Sequence, residues 1–129
     1  MKIFSLFLAL VFATLAFPCA SQSVAEQQDA VVIENLRAAG SDLTKVHDID
    51  FFLYFASKPQ AKEAAKEMKQ LGYTAVTLEK SPDKSQWSVQ AKRSMIPQLE
   101  AMTASTRSLE KLASRHGGEY DGWGTSIVK

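Results

Sequence analysis

The sequence predicts an α+β fold, a four-stranded antiparallel sheet with two long helices on one face and a further helix in front of them. Three observations carry this expectation. The segment "IDFFLYF" (49–55) alternates like a strand, two later segments repeat apolar residues at helical spacing, and the signals run strand, helix, strand, strand, helix, strand.

Taken in order, a first helix is expected from Gln27 to Ala39, with Val32, Leu36 and Ala39 on one stripe and Gly40 as its stop. It is short and moderately apolar, so it needs a surface to lie against. The strand at 49–55 puts Ile49, Phe51, Leu53 and Phe55 on one face and Asp50, Phe52 and Tyr54 on the other. "SKPQAKEAAKEMKQLG" (57–72) reads as a helix with Ser57 as N-cap, Gln60 at the capping-box position, Pro59 in the first turn and Gly72 as the stop. Its stripe of Ala61, Ala64, Ala65, Met68 and Leu71 is small-sided, which lets it approach a sheet closely.

"YTAVTLEK" (73–80) and "QWSVQAKR" (86–93) form a hairpin across "SPDKS", where Pro82 presets the turn and Asp83 favours it. A second long helix is expected from Ser94 to Arg115, with Leu99, Met102, Thr106, Leu109 and Ala113 on one face and Leu112 beside them. "HGGEYDGWGT" (116–125) then reads as a helix stop and a turn leading into a last strand at "TSIVK" (125–129). Gly117 and Gly118 end the helix, Asp121-Gly122 makes a tight turn or bulge, and Gly124 lets backbone pass close to Trp123.

Two βαβ-type halves with right-handed crossovers give a ferredoxin-like βαββαβ sandwich with an added N-terminal helix. Its second sheet face, carrying Phe52 and Tyr54, is left open. The expected cover is the N-terminal helix through Val32 and Leu36; the functional alternative is a bound partner.

Residues 1–25, "MKIFSLFLALVFATLAFPCASQSVA", combine a lysine, an apolar run from Ile3 to Phe17, a break at Pro18 and small residues, the layout of a secretory signal peptide cut between Ala20 and Ala25. The run is shorter than the roughly 20 residues of a membrane-spanning helix, and a retained anchor through residues 3–17 is the alternative. Cys19 follows Phe17 and Pro18 rather than the small residue a lipidation signal wants, so it is expected to leave with the leader and take thiol chemistry with it. The expected product is a single domain, 26–129, periplasmic or secreted, with no membrane span. The chain has 15 Lys and Arg against 14 Asp and Glu, and the leader holds only Lys2 of these. The domain is therefore neutral, without electrostatic pull toward nucleic acid or an anionic membrane.

Chemistry is not apparent. His47 and His116 are expected as solvated or capping residues, His116 where a cation suits the helix dipole. Asp48 and Asp50 share a face, which reads as a solvated edge or a guard against strand-to-strand aggregation. No nucleophile stands with a base and no His or Cys cluster has metal-ligand spacing, so the reading is of a non-enzymatic protein without cofactor or metal. Base stacking on Phe52 and Tyr54 would suit RNA, but "QWSVQAKR" lacks the glycine-aromatic series of RNA-binding sheets. The interaction candidates are Tyr120, Asp121, Gly122 and Trp123, with Phe52 and Tyr54 as a second patch, because Tyr and Trp give large contact areas at low entropic cost.

"GGEYDGWGT" (117–125), with "MIPQLEAMTASTRSLEKLA" before it and "AAGSDLTKVHDIDFFLYF" (38–55) and "LGYTAV" (71–76) upstream, resembles the regulator of ribonuclease E activity B family, with "YDGWGT" the most specific part. The likeness runs from Gln27 to Val128. It implies a ferredoxin-like fold with an added N-terminal helix and a non-catalytic protein that acts by binding. The namesake is a cytoplasmic inhibitor that docks on the protein-recruiting part of ribonuclease E. An exported domain would be separated from that enzyme, so the expected partner is another protein. A cytoplasmic or anchored regulator of ribonuclease E, and a small-molecule-binding sandwich, are the alternatives.

Overall fold

A computed structural model describes residues 22–83 and 85–129; the expected leader as far as residue 21, with Cys19, lies outside them. Helix α1 (Val24–Ala38) starts three residues before its expected position because the cap is Ser23. Ser23 Oγ accepts the Glu26 N–H at 3.1 Å while the Glu26 carboxylate accepts the Ser23 N–H at 2.8 Å, so two otherwise orphaned donors are satisfied reciprocally. Strand β1 (His47–Phe55) buries every second residue from His47 onward, and Asp48, Asp50, Phe52 and Tyr54 between them face the other way.

Helix α2 (Lys58–Gln70) is capped by Ser57, whose hydroxyl accepts from the Gln60 N–H at 3.4 Å. Strands β2 (Thr74–Lys80) and β3 (Trp87–Met95) form the expected hairpin. In its turn Asp83 Oδ1 accepts from Ser81 Oγ at 2.6 Å and from the Ser85 N–H at 3.1 Å, which holds the Asp83 carboxyl down at about 2. Helix α3 (Leu99–Arg115) starts five residues later than expected. β1 extends back to His47, and Ser94 and Met95 are drawn into strand pairing with Asp48 and His47. Leu71 and Leu99, expected on buried stripes, are exposed because each falls at a helix end.

Strand β4 (Gly118–Thr125) completes the sheet, in the order β2-β3-β1-β4 with every pair antiparallel. This is the ferredoxin-like arrangement, yet the last strand is the motif itself and not "TSIVK". Pairing begins at Gly118 opposite Phe55, directly after α3, and reaches Ile49 by Thr125. Little of β1 remains for residues 126–129. They instead brace the loop after α1: Val128 O accepts the Asp42 N–H at 2.6 Å and the Val128 N–H reaches Ser41 Oγ at 3.0 Å.

The core lies between sheet and helices, with Ile49, Phe51, Leu53 and Phe55 of β1 at its centre and Met68, Met102, Leu109 and Leu112 above them. Phe51 meets Tyr73 edge-on at 5.5 Å. α2 packs over β2 and β3, α3 over β4 and β1, and α1 beside α3 against β4. α1 therefore extends the helical layer and does not cover the open face as expected. Its buried stripe is Glu26, Asp29, Ile33 and Leu36, and two of these side chains are acids that need the polar partners found on α3 and β4.

Candidate functional site

Strand β4 is one edge of the sheet, and a bulge divides it. Phe52 pairs with Gly122 and Leu53 with Tyr120, so Asp121 is an extra residue without a counterpart on β1. Gly122 adopts φ +126, a conformation that side chains with a Cβ rarely adopt. The extra residue resets the alternation. Tyr120 and Trp123, three apart, both face the helices, while Gly122 and Gly124 lie on the outer face beside Phe52 and Asp50.

On the helix side, Trp123 is 8% exposed and its Nε1–H donates to Asp29 Oδ1 at 2.8 Å. Thr106 Oγ1 of α3 donates to the same oxygen at 2.9 Å. Asp29 is 1% exposed, and its Oδ2 is buried without a hydrogen-bond partner among the described residues; so is the Tyr120 hydroxyl. Burial pushes the Asp29 carboxyl above the ordinary range, against the two donated hydrogen bonds, and likewise pushes the Tyr120 hydroxyl up. A cavity of about 460 Å³ between α1 and β4 is lined by Asp29, Tyr120, Asp121, Gly122 and Trp123 together with Val24 and Val32. Glu26 pairs with Arg107, and the Ser23 backbone N–H holds its carboxyl below the usual range.

On the outer face, Phe52 and Tyr54 are half-buried at the middle of the sheet. The three helices all lie on the other side. Above Gly122 and Gly124 a Cβ would meet nothing within 4 Å, so the aromatic patch is bordered by bare backbone on the β4 side. On the β3 side stand Gln90 and Lys92, both turned to Asp50, at 3.4 and 3.7 Å.

The six expected interaction residues thus gather around one strand, but on two faces. Tyr120 and Trp123 face inward, Phe52 and Tyr54 outward, and Asp121 and Gly122 form the bulge between them. His47 is neither solvated nor a cap: it is fully buried, its Nδ1 bonded to Lys45 O at 2.8 Å and its Nε2 to Ser41 Oγ at 2.7 Å. β1 continues back through it into the interior. His116 caps α3 and bonds Glu67 at 2.6 Å, which holds the Glu67 carboxyl low. Asp48 and Asp50 do not mark an edge, because β1 is an inner strand flanked by β3 and β4; Asp48 accepts from Ser94 and Asp50 pairs with Lys92.

Asp29 went unnoticed in the sequence although it sits one helical turn ahead of Ile33, on the apolar stripe of α1. A carboxylate at such a position is the signal of a buried polar contact. Among the described residues no group of three or more His, Cys, Asp or Glu converges to hold a metal ion, and no helix is long and apolar enough to cross a membrane. No curated protein matches the chain significantly. A family model described as "Regulator of ribonuclease activity B" matches residues 26–125.

Proposed function

Because the chain belongs to the regulator of ribonuclease activity B family, we propose that it is a non-catalytic regulator that works by docking a protein partner on the outer face of its sheet. The observation that carries this is the placement of Phe52 and Tyr54. Two half-buried aromatic rings lie on a face that none of the helices covers, beside two glycines that leave the backbone bare. Aromatic side chains in such a setting bury large areas at small entropic cost when a partner arrives. Polar groups at the margin, Asp50 with Lys92 and Gln90, satisfy one another and would form a rim around that contact.

The leader-like residues 1–25 support export, and with it a partner other than a cytoplasmic ribonuclease. The test is a crosslinking pull-down from the compartment in which cell fractionation places a tagged chain, with Phe52→Ser, Tyr54→Ser as the paired variant. Loss of one specific crosslink at unchanged melting temperature is expected. Undiminished crosslinking in the variant overturns the assignment of this face, and a full-length cytoplasmic product overturns export.

A further inference from the structure

The cavity between α1 and β4 is not used by the outer face, and its chemistry is one-sided. The carboxylates in its wall are Asp29 and Asp121. A second cavity, of about 320 Å³, adjoins it, sharing Val24, Ala25 and Tyr120 and adding Glu110 and Glu119. Among the described residues neither wall includes a Lys or Arg, although basic and acidic residues are nearly balanced in the whole chain. Arg107, one helical turn from Glu110, is engaged by Glu26.

Within this acidic trough Asp29 is 1% exposed, and one of its oxygens lacks any partner among the described residues. A buried carboxylate is costly unless a cation or further donors complete it, and removing water makes the attraction to an arriving cation stronger. Trp123 and Thr106 fix the carboxylate through Oδ1 and leave Oδ2 to something else. The nearby Tyr120 hydroxyl is likewise buried and unpartnered. The complement is a group with several N–H donors and a positive charge.

We infer that the α1–β4 trough is a binding site for a basic peptide segment of a protein partner, with one arginine or lysine side chain inserted toward Asp29 and Tyr120. The second cavity favours a peptide over a small amine, because it carries the trough past the first cavity to Glu110 and Glu119, where neighbouring basic residues of the same segment would lie. This deepens the docking function proposed above but uses the opposite side of β4.

The experiment is an NMR titration of the ¹⁵N-labelled protein with an acetylated hexa-arginine peptide, following the indole N–H signals of Trp123 and Trp87. The Trp123 signal is expected to shift and saturate while that of Trp87, at the hairpin, stays still. Asp29→Asn should weaken binding tenfold or more. Because that variant alters a buried hydrogen-bond group, the exposed pair Glu119→Gln, Asp121→Asn is the companion. It should keep the melting temperature, weaken binding several-fold and reduce its salt dependence. A Trp123 signal that does not move at millimolar peptide, or equal affinity for Asp29→Asn, overturns the proposal, as does methylguanidinium binding as tightly as the peptide. The outcome is separable from that of the outer face: Phe52→Ser, Tyr54→Ser should leave the peptide titration unchanged whatever it does to partner capture.

Discussion

The Trp123 indole and the Asp29 carboxylate, 94 residues apart in sequence, are joined by a hydrogen bond of 2.8 Å that ties the last strand to the first helix. Glu26–Arg107 and Asp29–Thr106 hold α1 to α3, and this contact adds a bond from the helix to the sheet. Trp123→Phe keeps most of the ring's bulk but removes the donor. Leaving the buried Asp29 with Thr106 alone should cost about 1–3 kcal/mol, read as a lower urea midpoint at unchanged slope. An equal midpoint would show that the bond contributes nothing net.

The same carboxylate sets a pH dependence. Burial raises the folded pKa of Asp29 above its unfolded value, so ionisation is easier in the unfolded chain. The resulting cost is absent below the ordinary carboxylate range and grows as pH rises through the raised folded value. Glu26 and Glu67 act in the opposite sense, contributing stability that is lost as pH falls through their lowered values, but they are common to both proteins. Urea melts of wild type and Asp29→Asn across pH 4 to 8 should therefore show wild type losing stability relative to the variant as pH rises, then levelling off. A constant difference across the range would refute this.

Two glycines of β4 should respond differently to alanine. A Cβ on Gly118 would come within 2.3 Å of Phe55 Cδ1 and 2.4 Å of the Tyr54 carbonyl oxygen, and the latter is backbone that cannot step aside. Gly118→Ala should destabilise by roughly 1–3 kcal/mol, the usual range for overpacking. Gly124 has open space above it and a φ outside the left-handed region, so Gly124→Ala should leave the melting temperature within a degree or two. Thermal melts of the two variants decide this, and Gly124→Val then becomes a way of crowding the outer face without harming the fold.

Ser23 bears on processing. A cut just after residue 21 preserves the Ser23–Glu26 capping box, whereas a cut after Ala25 removes it together with Val24 and Ala25, the first two residues of α1, both of which line the cavity. Ser23→Ala should cost about 1 kcal/mol, the usual worth of such a cap. On the proposed export, intact-mass measurement of the processed chain should place its N-terminus at or before Ser23; a terminus at Glu26 would contradict this.

The elements with local signals were legible. α2 has its cap at Ser57, its small-residue stripe and its stop at Gly72 within one short segment, and the β2–β3 hairpin declares itself through Pro82 and Asp83. What depends on distant pairing was not. α3 starts late because His47 and Asp48 draw Met95 and Ser94 into the sheet, which no local window shows, and because Pro97 biases Ile96 away from helical backbone, which one does. β4 was hidden twice: Gly118, Gly122 and Gly124 depress strand propensity, and the bulge at Asp121 puts Tyr120 and Trp123 on one face at a spacing of three, so alternation fails. The gathering of Tyr120, Asp121, Gly122 and Trp123 was readable as a motif. That they flank Asp29 depends on α1 docking on the helix side, which its mixed stripe decides only in three dimensions.

The bulge has a further consequence, for self-association. β4 ends the sheet, and an unpaired strand edge is a template onto which a second copy can add. Here the ladder breaks at its middle, where Asp121 has no place in the register and Gly122 turns the backbone aside. An incoming strand finds two short runs out of phase in place of one continuous row of donors and acceptors, and a charged side chain at the break. The residues that aim two aromatics inward thereby also stop the sheet from growing outward past β4.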